Sequence, residues 1–283
     1  MSKVRLAIIG NGMVGHRFIE DLLDKADAEQ FDITVFCEEP RKAYDRVHLS
    51  SYFSHHTAEE LSLVREGFYE KHGVKVLVGE RAITINRQEK VIHSSAGRTV
   101  FYDKLIMATG SRPFILPIPG KDLEGVLAYR DIADTEAMIE AAKTLKHAVV
   151  IGGGLLGLEA ANGLMKRGMQ VTVVHVGDWL MERQLDDQAG RMLQKSLAER
   201  GMQFRMQAQT QELLGDEDAG RSGRVRAVRF KDGSEIPAEL VVMAVGIRPS
   251  TELAESMHLH VSRGIVVSDT LQTVTDPRDR KST

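Results

Sequence analysis

The sequence predicts an α/β fold in which one βαβ unit occurs twice. Three observations carry it. Residues 4–23, VRLAIIGNGMVGHRFIEDLL, run from a short apolar stretch through a glycine cluster into a helix-spaced segment. Residues 148–164, AVVIGGGLLGLEAANGL, repeat that order in different letters. Each is followed by a second β-branched run, DITVFC at 32–37 and QVTVVH at 170–175, which completes a parallel crossover unit.

The elements follow in order. Residues 4–9 are apolar apart from Arg5, as suits a strand, and 13–24 carry helical spacing. TAEELSLVREGFYEKHG (57–73) predicts a helix, with Thr57 and Glu60 spaced as a capping box. VKVLVG (74–79), RAITINRQEKVIHSSAGRTVFY (81–102) and DKLIMATG (103–110) read as strands. Residues 149–151, 155–166 and 170–175 form the second unit. A helix near 187–200 leads to further strands, with Asp232-Gly233 in KDGSE suited to a two-residue hairpin turn. The strand ELVVMAVG ends at Gly246, and a short helix and strand follow. RPFILPIPGKD (112–122), holding three of the seven prolines, is the expected crossing between domains.

Composition narrows the function. At 283 residues, 42% apolar and 27% charged, the chain can bury a core and fill about two domains. A net charge of -3 gives no electrostatic case for nucleic acid or an anionic membrane surface as partner. The basic run Arg221 to Arg229 reads as a solvated hairpin face. The single cysteine, Cys37, excludes an internal disulfide and dithiol chemistry within the chain, and a reducing, cytoplasmic setting fits. MSKVRLAIIG is too short in apolar residues for a signal-peptide core. The longest apolar stretch carries Glu159 and five glycines, which argues against a membrane span.

The glycines have separate jobs. In GNGMVG (Gly10, Asn11, Gly12, Met13, Val14, Gly15), Gly10 permits the tight turn off the strand, Gly12 lets backbone approach a pyrophosphate, and Gly15 lets helix and strand pack closely. The diphosphate then faces the helix N-terminus, where free N–H groups and the helix dipole offset its charge. The fingerprint asks for an acid about 20 residues on to accept from ribose hydroxyls. Glu38, with Glu39 beside it, closes DITVFCEE. The second copy uses Gly152, Gly154 and Gly157, with Gly153, Leu155 and Leu156 between, but ends on His175. A neutral histidine can hydrogen-bond a ribose hydroxyl and a protonated one can tolerate an extra phosphate, so NADH and NADPH both stay open. His175 also reads as a surface histidine at a strand end.

Two nucleotide sites in one chain fit a protein that passes hydride from a nicotinamide to a flavin. LIMATGSRP (105–113) and VVMAVGIRP (241–249) each end a strand in a small-residue turn and resemble the segments joining the two domains of two-dinucleotide flavoprotein reductases. That resemblance covers nearly the whole chain and adds Ala108, Thr109, Gly110 and Gly246 to the cofactor-binding candidates. It implies two nested Rossmann-like domains: an FAD domain from 1–115 and 244–283, and an NAD(P) domain from 116–243. AYDRVHLSSYF (43–53) is similar to the Tyr-x-Arg-x-x-Leu-Ser stretch of ferredoxin and rubredoxin reductases, with Ser51 where lysine is usual, and makes Arg46 a candidate FAD-phosphate contact. Its form, with GNGMVGHRF, EGFYEKHG and LMERQLD, resembles the flavoprotein region of the large subunit of bacterial NAD(P)H-dependent nitrite reductases. The resemblance implies FAD, an NAD(P)H donor and nitrogen assimilation. It implies as acceptor a siroheme and iron-sulfur (4Fe-4S) domain of a longer family member, or a small redox protein. It also places Glu159 on the nicotinamide side, an acid that otherwise reads as a helix-start residue favoured by the dipole.

The family's last FAD segment would follow QTVTDPRDRKST, so a C-terminally truncated form is expected, and the charged residues 278–283 show no pattern. His48, His55 and His56 lack the carboxylate or cysteine spacing of a metal site. No Ser-His-Asp spacing or GxSxG supports hydrolysis. Two other functions stay in play: a stand-alone NAD(P)H reductase for ferredoxin or rubredoxin, and a non-catalytic nucleotide-binding remnant.

Overall fold

Apolar runs with β-branched residues become the inner strands of two parallel sheets in the computed structural model, which describes residues 3–54, 57–216 and 223–275. His55, His56, Arg221 and residues 278–283 lie outside the described residues. The chain divides into two units: Met1–Asp45, Leu61–Arg112 and Arg248–Thr283 form the first, Arg46–Glu60 and Pro113–Ile247 the second. The chain thus crosses at 112/113 and 247/248, where the sequence suggested 115/116 and 243/244, and Arg46–Glu60 is grouped with the second unit.

The first unit is built on a four-stranded parallel sheet in the order Lys75–Val78, Phe31–Cys37, Val4–Ile9, Lys104–Met107. Successive side chains of a strand point to opposite faces, and both faces of Val4–Ile9 are covered. Leu6 and Ile8 pack with Ile19, Ile33, Val35, Tyr69 and Val74. Ala7 and Ile9 pack with Phe36, Leu77, Ile85 and Ile92. The helix Met13–Lys25 follows the first strand, and Ala82–Asn86, Val91–Ser94 and Thr99–Phe101 form an antiparallel sheet.

The second unit repeats the plan. Its five-stranded parallel sheet runs Gln203–Arg205, Gln170–Val174, His147–Ile151, Leu240–Met243, Val126–Ala128. An antiparallel sheet of Thr210–Gly215, Val225–Phe230 and Glu235–Pro237 supplies Leu213, Val228 and Phe230 to a core shared with Val149, Ile151, Val174, Val241 and Met243. The helices Ile132–Ala141, Leu155–Lys166 and Asp187–Glu199 complete it.

Two local expectations fail for identifiable reasons. The helix expected over 57–73 does not form, and only Phe68–Lys71 is helical. Thr57 and Glu60 do exchange the capping-box bonds, at 3.1 and 3.3 Å. Tertiary pairing then takes the backbone: Asp45 N–H donates to the Leu61 carbonyl and Leu63 N–H to that of Ala43, and Gly67 turns left-handed at φ +68°. The KDGSE hairpin forms with a wider loop, in which Gly233 (φ +81°) donates to the Phe230 carbonyl and Ser234 closes the strands. That is a type I turn with glycine at its fourth position, in place of a two-residue turn. Within the basic run, Arg229 pairs with Glu212 and Glu235 on the hairpin, as expected of a solvated face.

Candidate functional site

In each unit the strand order reverses beside the strand that enters the glycine turn, the position where open α/β sheets bind ligands. At the first turn, Gly10 has φ +108°, and a Cβ there would meet the Ala108 carbonyl oxygen. Gly10 N–H donates to Phe36 and Ala108 N–H to Ile9, so both neighbouring strands pin the turn. A Cβ at Gly15 would meet the Gly10 carbonyl oxygen, whereas one at Gly12 would meet nothing within 4 Å. Gly12 is the extended N-cap of Met13–Lys25, with no side-chain cap and no acid in the first turn. The helix N-terminus therefore offers N–H donors beside open space, and Val14 in its first turn is 73% exposed. This chemistry fits a pyrophosphate.

Of the two acids that close the next strand, Glu38 is exposed and 3.6 Å from Arg81 Nη1. Glu39 is half-buried and accepts from the Tyr44 hydroxyl at 2.9 Å. Opposite the turn, Thr109 Oγ1 donates to the Ser250 carbonyl and Ser250 N–H to that of Gly110 (φ +64°). Arg46 belongs to the second unit, where Nη1 donates to the Arg130 carbonyl at 3.2 Å.

The sequence reading missed the support of this turn. Asn11 is buried, its Oδ1 accepts from Ala43 N–H at 3.0 Å, and its Nδ2 donates to the Tyr69 hydroxyl at 2.7 Å. Tyr69 lies 2.8 Å from His16 Nδ1, and His16 Nε2 lies 3.1 Å from the Leu63 carbonyl. A carbonyl only accepts, so Nε2 carries the proton and the tyrosine hydroxyl donates to Nδ1. Burial pushes the Tyr69 hydroxyl up to about 12. The histidine of GNGMVGHRF and the tyrosine of EGFYEKHG are 53 residues apart, and no local spacing links them.

The second turn repeats the steric logic. Gly152 has φ +125°, and a Cβ there would meet the Ala244 carbonyl oxygen; one at Gly157 would meet that of Gly152; Gly154 is open. Gly152 N–H donates to Val174 and Ala244 N–H to Ile151. Gly154 caps Leu155–Lys166 without a side-chain bond, and Leu155 is exposed while Leu156 is half-buried. Gly246, at φ +116°, is exposed and its carbonyl accepts from Phe114 N–H.

The middle residue differs. Gly153 N–H donates to His175 Nδ1 at 3.1 Å, and a Cβ at 153 would press on His175 and Leu180. His175 is buried, 9% exposed, so it is not a plain surface histidine, and its Nδ1 lone pair is committed to the turn. Among the described residues its buried Nε2 has no hydrogen-bond partner. On the following helix Glu159 is half-buried, and burial raises its carboxyl. Burial and then Glu159 raise the Tyr129 hydroxyl, which likewise has no hydrogen-bond partner among the described residues. Among the described residues, no three His, Cys, Asp or Glu side chains gather as a metal site, and no helix is long and apolar enough to cross a membrane.

Two parallel-sheet units, each opening a glycine turn onto an uncapped helix, define an α/β oxidoreductase of the two-dinucleotide-binding class. The chain belongs to the pyridine nucleotide-disulphide oxidoreductase family, whose profile matches residues 4–278. It is 60% identical over 279 residues to the nitrite reductase (NADH) large subunit of Escherichia coli (strain K12), covering 98% of this chain and 32% of that one. It is 48% identical over 274 residues to the nitrite reductase [NAD(P)H] of Bacillus subtilis (strain 168), covering 96% and 33%. The chain thus spans about a third of the length of these relatives. Among solved structures it resembles the ferredoxin reductase for the CYP199A2 system of Rhodopseudomonas palustris, with TM-score 0.87 and 27% identity over 96% of this chain and 66% of that one. The resemblance read from AYDRVHLSSYF and LMERQLD is to the same group of proteins.

Proposed function

We propose that the chain is an FAD-dependent NAD(P)H oxidoreductase that serves as the electron-input part of an assimilatory nitrite reductase large subunit. The observation that carries this reading is the pair of glycine turns, each with an open glycine at an uncapped helix N-terminus. FAD belongs on the first turn, its pyrophosphate facing the backbone N–H groups that follow Gly12 and its adenosine ribose facing Glu38. Ala108, Thr109 and Gly110 border that site. NAD(P)H belongs on the second turn, Gly152 to Gly157, bordered by Gly246, with Glu159 toward the nicotinamide.

When bound, the nicotinamide supplies a hydride and the flavin takes up its two electrons and releases them singly or in pairs. The chain's own residues bind, orient and exclude water; no side chain is assigned as nucleophile or general base. The acceptor is a siroheme and iron-sulfur domain of a longer protein. An iron-sulfur cluster takes about four thiolates, and Cys37 alone cannot supply them. That buried thiol, donating to the Glu39 and Arg41 carbonyls, suits a reducing cytoplasm. A second reading, a reductase for a small ferredoxin-like protein, is favoured by the likeness to a ferredoxin reductase.

The test is to mix the purified chain with FAD and record the flavin spectrum before and after NADH, with ferricyanide as terminal acceptor. A bound flavin that bleaches with NADH and supports dye reduction is the expected result. A chain that stays colourless and is inert with NADH and ferricyanide is a non-catalytic nucleotide-binding remnant and overturns the proposal.

A further inference from the structure

The helix Leu155–Lys166 carries more than the glycine turn at its start. Glu159 and Gly163 lie four residues apart on it, one above the other on a single face, and Lys166 continues that face. The face meets the short 3-10 helix Leu49–Ser54: a Cβ at Gly163 would lie 2.3 Å from the Phe53 ring, and Lys166 Nζ donates to Ser54 Oγ at 3.2 Å. Phe53 in turn packs on Tyr129, with ring centroids 5.9 Å apart. Tyr129 follows the edge strand Val126–Ala128, and all of these residues belong to the second unit. The phenol therefore sits over the same helix face as Glu159, whose charge reaches it.

The two groups have complementary needs. Tyr129 is 2% exposed, and among the described residues its hydroxyl has no hydrogen-bond partner. An unpaired buried O–H is unfavourable, so packing on Phe53 does not explain why position 129 holds tyrosine in place of phenylalanine. Glu159 is half-buried, and burial raises its carboxyl. Its charged form is thus the disfavoured one, and a coenzyme that covers the carboxylate removes more of its water. A donated hydrogen bond offsets that loss, and Tyr129 is the buried donor at hand. The segment Leu49–Ser54 presents Phe53 and Ser54 to this face, neither of which titrates. Lys166 lies about two turns away and is tied to Ser54.

We propose that Tyr129 is the positioning residue for Glu159: with the nicotinamide coenzyme on the second turn, the phenol donates to one carboxylate oxygen and leaves the other to accept from the coenzyme. The carboxylate then stays ionised although water is excluded, and a side chain locked by packing fixes its direction. Tyr129 acts through Glu159 and is assigned no coenzyme contact of its own. This rests on the reading that turns Glu159 toward the nicotinamide.

The experiment is calorimetric titration of the full 283-residue chain with NADH near neutral pH, in two buffers of different ionisation heat, for the wild type, Tyr129→Phe, Glu159→Ala and the double variant. Tyr129→Phe is expected to weaken NADH ~10-fold in Kd. Binding to this variant should also take up a proton, because the covered carboxylate then neutralises. Its melting temperature should equal or exceed that of the wild type, since the free chain loses no hydrogen bond. In the Glu159→Ala background the same substitution should leave Kd within about twofold. An unchanged NADH affinity, binding without proton uptake, a lowered melting temperature, or an equal loss in the Glu159→Ala background overturns the pairing and leaves the proposed function standing. If the wild type binds no NADH, both fall.

Discussion

The two glycine turns share their steric design and differ in what holds the residue between the first and second glycines. In both, the first and last glycines are enforced by backbone: Ala108 and Gly10 in one unit, Ala244 and Gly152 in the other, leave no room for a Cβ. In both, the glycine at the helix N-cap is open. The middle residue is Asn11 in the first turn, wired through Tyr69 and His16 to chain segments far away in sequence. In the second it is Gly153, held by His175 at the end of the same βαβ unit. The shared positions are those that the proposed pyrophosphate contacts require, and the pyrophosphate is the same in both dinucleotides. The differing position is where each turn is fastened to its own surroundings, and so where the two can be altered separately.

The sharpest way to break this likeness is at the glycines. Gly10→Ala or Gly152→Ala places a methyl group against a carbonyl and forces an alanine to a positive φ, at a cost of about 3 kcal/mol or more. Gly12→Ala and Gly154→Ala meet no atom and should cost under ~1 kcal/mol of stability, yet weaken dinucleotide binding by crowding the phosphate. Urea unfolding beside FAD and NADH titrations separates the pairs. A Gly12→Ala chain as unstable as Gly10→Ala would show that the three positions do not have separate jobs.

The middle residues come next. Tyr69→Phe leaves the buried Asn11 Nδ2 and His16 Nδ1 without their shared partner, for a loss of ~1–3 kcal/mol. Flavin affinity should fall with it, while NADH affinity stays within about twofold. If both affinities fell together, the two turns would not be separately fastened. At the ribose of the first turn, Glu38→Gln removes a charged acceptor and should cost ~1.5 kcal/mol of FAD binding. A flavin dissociation constant unchanged by that substitution would remove Glu38 from the site.

Much of this was legible because glycine at a backbone collision leaves no alternative residue, and such a constraint is written directly into the chain. Parallel strands buried on both faces, such as VRLAII and HAVVI, are equally plain. What stayed hidden depends on partners distant in sequence. The helix expected at 57–73 gave way because Ala43 and Asp45 claim the backbone of Leu61 and Leu63. Tyr69 and His16 show no shared periodicity.

The smallest expected effect sets acidic groups of the two units against each other. Burial, and then the neighbouring Asp131 carboxylate, push the Asp134 carboxyl in the second unit up to about 6. It sits in the capping box of Ile132–Ala141, where its own carboxylate accepts from Asp131 N–H. A carboxyl raised in the folded state holds its proton more tightly there than in the unfolded chain. Its favourable contribution is complete below the ordinary aspartate value of 3.8 and is lost as pH rises through about 6. Discounted for partial solvent access, the change is ~1–2 kcal/mol. Asp103 in the first unit runs the other way, because the Arg5 guanidinium and backbone N–H hold its carboxyl well below the usual range. Its contribution is present at neutral pH and lost only in strong acid. Asp134→Asn keeps an oxygen for Asp131 N–H and removes the charge, so urea-unfolding free energies between about pH 4 and pH 6.5 should decline less in this variant than in the wild type. Asp103→Asn should leave that slope untouched. A wild-type slope that survives Asp134→Asn would mean that some other group in the chain carries it.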